Sequence, residues 1–585
     1  ATTIQGIKTA DMTVSNLIDY QNWQTEYSGN WKGVVFFANS VLGWRSNNSI
    51  YELNNGTTSV VQNIGAPVKA FNVSGSQVLI TASNQVLAYN SNLTLEAFFD
   101  DIPGEDFSFN TAVSSNGQYF LGHTTLGVLK FDAADSEPYS EISPKGPLFN
   151  RIFSLTSSPS SLWVSFGEYN QFYNPYSNGL NERGLSHLTP EGWVNIHVED
   201  LNNAKVLSHI TVDPQNPNRI FVSSFFDGLL EIENNELVQQ FDASNSIIEG
   251  VPSNINDNRI GSTAFDDQGH LYFSNSLTPN HIKRLNSEGS FFTPNTSEGL
   301  SNPETVHSAK LVVDTNNNVY LGTLTEGIIA YNSRTDSAKA ITSNVAGADF
   351  PDTFNVTPHI TSLAIDEDNR LWIGTQAGVR VMSNPSSIFE DTPVVNVSPI
   401  IIEDVDGLPQ ELLFEQYITD IAVDGANNKW IATADSGVFQ VSPNGREVLT
   451  IFNEQNSPLP TNSVRSLSIN NATGKVFFGT TSGLLSYSSF ITSENESLEN
   501  LRAFPNPVRP NYNGLVTIDG LTDGANVKIT DVTGNLVFEE FAKGGTLQWD
   551  TRAFGKHKVA SGVYFIITTA EDQQETNVGK LMIIR

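Results

Sequence analysis

A short strand motif recurs along the chain and limits the folds that the sequence can adopt. Its best copy, Thr361–Met382, reads as three short strands, and the second strand ends in Trp372-Ile373-Gly374-Thr375. Counting this one, the chain holds ten related second-strand segments at steps of about 42 to 58 residues, the spacing of four-stranded propeller blades. The other nine are Val34–Phe37, Val78–Thr81, Phe120–His123, Trp163–Phe166, Phe221–Ser224, Tyr272–Asn275, Tyr320–Thr323, Trp430–Thr433 and Phe477–Thr480. One blade cannot bury its own faces, so the repeat predicts an all-β propeller fold.

The ten copies divide into groups of three and seven. Residues 1–140 hold three copies, and residues 148–490 hold seven, a common number for a closed ring. Pro138–Pro147, with prolines at both ends, is the predicted linker between the two groups. The sequence therefore predicts an incomplete β-propeller at 1–140, followed by a complete seven-bladed β-propeller at 148–490.

The first residues repeat the spacing found inside a blade. Thr2–Ile7 has the Thr-x-x-x-Gly-Ile spacing of Thr323–Ile328. We therefore expect the chain to begin inside a blade, after the second strand, and to lack the earlier blades of the first propeller. A chance match in six residues at a ragged terminus is the alternative interpretation.

Composition excludes several classes of function. The chain has 585 residues, 31 basic and 63 acidic side chains and a net charge of -32, which argues against nucleic acid as a partner, because nucleic-acid binding depends on Lys and Arg. There is no cysteine, so disulfides and thiolate metal sites are excluded. No run of 18 apolar residues is present to span a membrane as a helix.

The last 85 residues differ from the rest. After the polar linker Ser488–Asn500, residues 501–585 hold nine basic and nine acidic side chains, so the upstream chain carries all the net charge. Short strands such as Leu515–Ile518, Leu536–Phe541 and Gly562–Thr568, separated by turns, predict a small C-terminal β-sandwich.

This tail resembles the C-terminal sorting domain of the type IX secretion system of Gram-negative bacteria. The matching motifs occur in order through the tail: Phe504-Pro505-Asn506-Pro507, Val516–Ile518, Val527–Asp531, Gly534, Ala560–Tyr564 and Lys580–Arg585. The upstream repeats look like the propeller repeats of hybrid two-component sensors. Together the parts resemble a family of surface components of that secretion system, which have two propellers and a C-terminal sandwich. Asn16–Trp23 lies where that family has a segment between two strands of the first propeller.

The resemblance implies a function. It predicts a non-enzymatic protein at the cell surface, on the outer-membrane exterior of a Gram-negative bacterium, without a cofactor. The implied partners are a PorU-type sortase, PorV-type and PorQ-type outer-membrane proteins, and anionic lipopolysaccharide. Ordinary cargo tails look much the same, so the alternative is a secreted propeller cargo protein that binds or cleaves a glycan and loses its tail. A ligand-sensing ectodomain is a third hypothesis.

The segment with the most unusual composition is the aromatic insertion, Phe166–Gly179, which follows the Trp163 strand. Long loops on rigid scaffolds often carry binding residues, and aromatic faces flanked by Asn and Gln suit sugar rings. We therefore predict that Tyr169, Phe172, Tyr173 and Tyr176 bind a glycan. The alternative is that these side chains fill a gap between the two propellers.

No catalytic or metal motif stands out from the sequence. A propeller lyase or hydrolase would need a His with Glu or Asp at the channel mouth, and no such pair can be assigned. His123 takes the strand-end position that Thr holds in other repeats, which favours a packing role for this histidine over a catalytic one. Asp404–Gly407 resembles the start of a calcium loop, but the remaining ligands do not follow. The turns Asp266–Gly269 and Asp314–Asn318 recur at one blade position, which favours Asx turns over metal binding.

Overall fold

A computed structural model of the chain gives the fold. It describes residues 2–11, 13, 16–100, 108–124, 127–132, 139–142, 145–296, 300, 302–343, 345–351, 359–403 and 407–585. The chain separates into two compact units, Ala1–Lys145 and Gly146–Arg585. Within the described residues the only helices are short 3-10 turns, and none is long and apolar enough to cross a membrane. These turns are Tyr20–Asn22, Pro175–Asn178, Val198–Leu201, Pro303–Thr305 and Pro385–Phe389.

The N-terminal unit contains four antiparallel sheets, A to D, each lying against the next. Their strands are, for A, Thr2–Thr3, Gly6–Thr9 and Gln24–Ser28; for B, Trp31–Phe37, Ser40–Arg45, Ser49–Asn54 and Thr57–Asn63; for C, Val68–Ser74, Gln77–Ala82, Gln85–Asn90 and Leu95–Phe99; for D, Phe109–Ser115, Gln118–His123, Gly127–Phe131 and Tyr139–Ile142. The predicted inter-strand segment Asn16–Trp23 lies between the last two strands of sheet A, as expected.

The second unit begins with seven antiparallel sheets, blades I to VII. Their strands are, for I, Ser154–Ser158, Ser161–Ser165, Leu185–Thr189 and Gly192–Ile196; for II, Leu207–Asp213, Asn216–Ser224, Gly228–Glu233 and Glu236–Phe241; for III, Ile260–Phe265, Leu271–Asn275, Ile282–Leu285 and Phe291–Phe292; for IV, Ser308–Val313, Asn318–Thr323, Ile328–Asn332 and Ser337–Ile341; for V, Ile360–Ile365, Leu371–Thr375, Gly378–Met382 and Val397–Ser398; for VI, Ile418–Val423, Lys429–Thr433, Val438–Val441 and Val448–Phe452; for VII, Val464–Asn470, Lys475–Thr480 and Gly483–Ser488. Ile401–Glu403 and Pro409–Glu411 form a separate hairpin after blade V.

The seven blades close into a ring. The first strand of each blade lies against the first strand of the next, and the first strand of blade VII lies against that of blade I. Hydrogen bonds seal this last junction, from Ile152 N to Thr480 O at 3.0 Å and from Asn470 Nδ2 to Ser158 O at 2.8 Å. Blade VII has three strands, so Gly483–Ser488 is an open sheet edge.

The turn chemistry expected from the sequence is present. Asp366 Oδ1 accepts hydrogen bonds from the N–H groups of Asp368 and Arg370, and Asp314 Oδ1 bonds two N–H groups in the same way. The second Asp366 oxygen accepts the Trp372 indole N–H at 2.8 Å. Asp266 Oδ1 accepts from the N–H groups of Gln268 and His270, so the Asx-turn interpretation is confirmed, and at Asp366 and Asp314 the second carboxylate oxygen also bonds a core aromatic.

The tail forms two further sheets around a core of its own. Arg502–Phe504, Val516–Asp519 and Thr546–Trp549 form one sheet; Leu536–Phe541, Asn526–Thr530, Gly562–Thr569 and Thr576–Ile583 form the other, and Arg552–Ala553 pairs with His557–Lys558. Fully buried Trp549 lies in this core. The tail also contacts blade VI through the linker, because Gly545 N donates to Thr492 O and a Cβ on Gly544 would lie 2.4 Å from Gly425 O.

Some sequence-based assignments need correction or stay predictions. Val34–Phe37 is not a second strand: Trp31–Phe37 is the first strand of sheet B, and Ser40–Arg45, with Gly43 and Trp44, is the second. The limits 148–490 and 501–585 stay predictions, because ring and tail fall in one compact unit. Residues 138 and 144 of the predicted linker and residues 404–406 of the calcium-loop resemblance lie outside the described residues.

Candidate functional site

The aromatic insertion lies across the mouth of the ring. It belongs to the connection between the second and third strands of blade I, Ser161–Ser165 and Leu185–Thr189, which in blade V needs only two residues. Asn170 Oδ1 accepts hydrogen bonds from the N–H groups of Phe172 and Asn174, which folds the segment into a compact turn. The insertion is therefore an ordered part of the ring.

Two tyrosines anchor the insertion inside the mouth. Tyr169 and Tyr173 are buried, with ring centroids 5.3 Å apart in an edge-to-face arrangement. The Tyr173 hydroxyl donates to Ile360 O of blade V, so the insertion bridges opposite sides of the ring. Burial raises the pKa of both tyrosines and lowers the pKa of neighbouring His359 to about 4. These contacts agree with a gap-filling role for Tyr169 and Tyr173, within this ring.

Beside the insertion, the mouth retains an open cavity of about 410 Å³, the mouth pocket. Phe172, 37 % exposed, lies in its wall together with faces of Tyr169 and Tyr173. Tyr176 is outside this lining; it is 46 % exposed, and its hydroxyl donates to Asp257 Oδ2. The structure thus brings three of the four predicted residues together. Other polar and aromatic lining residues are Phe153, Asn170, Gln171, Ser177, Thr361, Tyr417, Thr419 and Ser463.

The far wall of the mouth pocket comes from blades IV to VII, where the register of the first strand shifts. The shifts fall at Thr361, Thr419 and Arg465 in blades V to VII and at Ala309 and Lys310 in blade IV, and the side chains of Lys310, Thr361, Thr419 and Arg465 line the pocket. A β-bulge breaks strand alternation and re-aims a side chain, which explains why these residues face the mouth. The corresponding shift in blade III spans Gly261 and Ser262, and neither residue lines the pocket.

The charge of the mouth pocket contrasts with that of the whole chain. Glu168 is the acidic residue in its lining, and its carboxylate is buried among Arg151, Arg183 and Arg465, the last two at 3.9 Å. Lys310 is the second basic residue of the lining, and its Nζ makes no ion pair with any described part of the chain. The pocket is therefore locally basic in a protein with a net charge of -32.

Sequence reasoning missed the residues of the far wall. Lys310, Thr361, Thr419 and Arg465 each follow closely after the residue that starts a first strand, but one repeat alone gives no reason to single them out. Aligning the repeats would have shown one recurring position that holds Thr361, Thr419 and Arg465 in blades V to VII, but blade IV has Ala309 there and Lys310 one position later. His123, the histidine that the sequence favoured for packing, is buried, and its ring packs edge-on against Phe109.

Comparison with known families supports both parts of the sequence interpretation. Residues 502–584 match the family described as the secretion system C-terminal sorting domain, and residues 356–377 match the two component regulator propeller. No curated protein matches the chain. The chain thus combines propeller repeats with a C-terminal domain of the sorting type.

Solved structures show which protein this fold resembles. PorZ of Porphyromonas gingivalis, described as an essential bacterial surface component of the type-IX secretion system, matches at 19% identity and a TM-score of 0.71, covering 100% of this chain and 80% of PorZ. The extracellular domain of a putative one component system from B. thetaiotaomicron matches at 12% identity and a TM-score of 0.31, covering 100% and 96%. Virginiamycin B lyase of Staphylococcus aureus matches at 9% identity and a TM-score of 0.40, covering 58% of this chain and 94% of the lyase chain. The chain is therefore similar to PorZ in fold, and the other two scores are too low to bear on function.

Proposed function

We propose that the protein is a non-enzymatic surface component of a type IX secretion system that binds anionic lipopolysaccharide and supports sortase-mediated anchoring of cargo. The observation that carries this proposal is the combination of a PorZ-like fold over the whole chain with a sorting domain at residues 502–584. The mouth pocket supports the glycan part of the proposal, because it places aromatic faces, hydroxyls, amides and basic groups within one cavity.

Phe172 is the aromatic platform of the proposed glycan site. Its exposed ring lies in the pocket wall, whereas buried Tyr169 and Tyr173 hold the insertion in place. Amide side chains of Asn170 and Gln171 and the hydroxyl of Thr361 are within the same lining and can bond sugar hydroxyls. Tyr176, bonded to Asp257, supports the rim.

The groups near the pocket are poorly suited to acid–base catalysis, which supports a binding role. A general acid or base works best with a pKa near the operating pH. Burial raises the pKa of Tyr417 to about 12 and lowers the pKa of His359 to about 4. We therefore infer that the pocket binds its ligand without transforming it.

The binding proposal is tested with purified lipopolysaccharide of the native outer membrane. Immobilised full-length chain should retain it, and the Phe172→Ala chain should retain much less at an unchanged melting temperature. Equal retention by both chains would contradict the assignment of the mouth pocket.

The tail supplies the proposed link to a PorU-type sortase and to PorV-type and PorQ-type proteins. Its near-neutral charge favours docking to a partner more than the acidic propellers do. A working component should keep the tail, so protein recovered from the cell surface should still contain residues 501–585. A mature chain that ends near Ser497, measured by mass spectrometry, would instead identify a secreted cargo protein whose tail is only an address.

A further inference from the structure

In the described part of the ring, blade VII is the only blade without a fourth strand. Blades I to VI each have four strands, whereas blade VII ends with its third, Gly483–Ser488, which we call the open edge. The third strands of blades II to VI are largely buried, but Ser486, Tyr487 and Ser488 of the open edge are exposed. The six other blades show that one antiparallel strand fits beside such an edge.

Backbone groups of the open edge point to this fourth-strand position. In blade VI, Ser442 holds the place of Ser488, and its N–H donates to Glu447 O at the start of the fourth strand, at 2.9 Å. On the opposite side of the open edge, Ser489 N donates to Gly474 O, next to the second strand, at 2.8 Å. Backbone direction alternates along a strand, so the groups that point outward belong to Leu484, Ser486 and Ser488. No hydrogen bond between described residues reaches them on that side.

The open edge also lacks the features that keep strand edges from pairing. Edges in soluble proteins are usually protected by Lys, by Pro, by bulges or by a covering element. Residues 483–490, GLLSYSSF, contain no charged residue and no proline, and their pairing with the second strand has no register shift. The neighbouring outer strand, Val448–Phe452 of blade VI, is uncharged as well. In a chain with a net charge of -32, this uncharged edge is well suited to pair with a further strand.

A shallow groove of about 400 Å³, the edge groove, begins where the open edge ends. Ser489, the residue after the edge, lies in its lining. Its exposed apolar side chains are Leu449 from blade VI, Phe490 from the linker and Phe541 from the tail. Glu540 and Lys543 also line the groove and have opposite charges. A strand added antiparallel to the open edge would have its N-terminal end beside this groove, where an apolar side chain can be buried.

We propose that the open edge binds an extended, uncharged segment of another protein, which adds to blade VII as its fourth strand and places an apolar side chain of its N-terminal end in the edge groove. Backbone hydrogen bonds supply affinity in this mode of recognition, and side-chain pockets supply specificity. This surface is separate from the mouth pocket, so binding there does not depend on the proposed glycan function.

A short segment suits the open edge better than a second copy of the chain does. Two chains that each carry a net charge of -32 repel one another. The open edge has 6 residues, far fewer than the roughly 20–30 residues a side of a standard stable interface. An extended segment needs only the edge and the groove, and it brings no large acidic surface with it.

The test uses a fluorescently labelled peptide of residues 446–455, which contains the fourth strand of blade VI. The third strands of blades VI and VII share one register, with Gly437 and Gly483 in the same place, so the peptide can pair with the open edge. Fluorescence anisotropy measures its binding to the native full-length chain, to Ser486→Pro and to the matched control Ser486→Ala. The peptide should bind the native and Ser486→Ala chains alike and bind Ser486→Pro at least about tenfold more weakly, because proline removes the outward N–H.

Modified peptides test the same contact without changing the protein, should Ser486→Pro lower the melting temperature. In blade VI, Thr450 and Phe452 pair with Gln440 and Val438, whose backbone groups face the fourth strand. Methylating the backbone nitrogens of Thr450 and Phe452 in the peptide should abolish binding. Methylating Ile451, whose N–H faces away from the edge, is the control and should preserve it.

Three results would overturn the proposal. The first is a native chain that shows no saturable binding of the peptide. The second is equal binding by Ser486→Pro or by both kinds of methylated peptide, because the peptide would then bind elsewhere, for example by replacing its own strand in blade VI. The third is a native chain that light scattering shows to be a dimer and that becomes a monomer in Ser486→Pro, since a second copy would then occupy the open edge.

Discussion

In the aromatic insertion, Tyr173 anchors the segment to the ring and Phe172 faces the mouth pocket. Substituting each residue separately should affect stability in one case and ligand binding in the other. Tyr173→Phe deletes only the hydroxyl that donates to Ile360 O. The carbonyl would remain buried without that partner, which costs about 1–3 kcal/mol. Phe172→Ala removes a ring that is 37 % exposed, so its loss should change the free energy of unfolding by much less.

The same two substitutions should affect binding in the opposite order. Stacking of a sugar on Phe172 is expected to contribute about 0.5–1.5 kcal/mol, so Phe172→Ala should weaken lipopolysaccharide binding about twofold to tenfold. Tyr173→Phe keeps its ring, and the pocket wall should keep its shape. Phe414→Ala, at an exposed phenylalanine outside the pocket lining, is the control for the loss of a surface ring.

Melting curves and lipopolysaccharide retention on the four purified chains decide the outcome. Tyr173→Phe should melt a few degrees lower and retain the ligand as the native chain does, whereas Phe172→Ala should melt like the native chain and retain less ligand. A Phe172→Ala chain that is strongly destabilised but binds normally would refute the division of roles. So would a Tyr173→Phe chain as stable as the native one.

Three further predictions concern the ring as a whole. Lys429→Met should destabilise the ring by about 1–3 kcal/mol, because it removes the ammonium group 2.8 Å from buried Asp366 while Arg370 still pairs with that carboxylate; unchanged denaturant resistance would contradict this. Burial lowers the pKa of His281 and His359 to about 4, so between pH 6.5 and 4 the unfolded state binds more protons than the folded state. The free energy of unfolding should therefore fall as the pH drops from about 6.5 towards 4, by at most about 3 kcal/mol per histidine. A melting temperature that stays constant over this range would contradict the burial of these histidines. Ser486→Pro should be tolerated, because antiparallel pairing directs the Ser486 N–H away from the neighbouring strand, and a large fall in melting temperature would show that the edge of blade VII is covered.

The repeat, the Asx turns and the tail could be predicted from the sequence because they depend on local chemistry. An apolar strand before a Gly, or an Asp before a tight turn, has the same consequence in every blade. The strands around Trp372 accordingly lie where the sequence predicts them. Val34–Phe37 was wrongly assigned as a second strand. It is apolar and belongs to the first strand of sheet B, so the apolar pattern alone could not distinguish it from the true second strand, Ser40–Arg45.

The sequence predicted only the part of the mouth pocket that the aromatic insertion contributes. Tyr169, Phe172, Tyr173 and Tyr176 are close in sequence, and their composition drew attention to them. Which of them is buried depends on Ile360 and His359, nearly two hundred residues later in the chain. Local composition cannot distinguish an anchoring tyrosine from an exposed platform.

Sequence alone therefore determined an all-β repeat protein with a distinct sorting-type tail, because strand periodicity and turn residues act within a few positions. Only the tertiary structure determined that the aromatic insertion lies across the mouth of the ring to which it belongs, and that Lys310 and Arg465 face the cavity beside it. These two residues are 155 positions apart. Closure of the ring places them in one wall, and it depends on contacts between blades that no single repeat encodes; the shift in register at each first strand turns them towards the cavity.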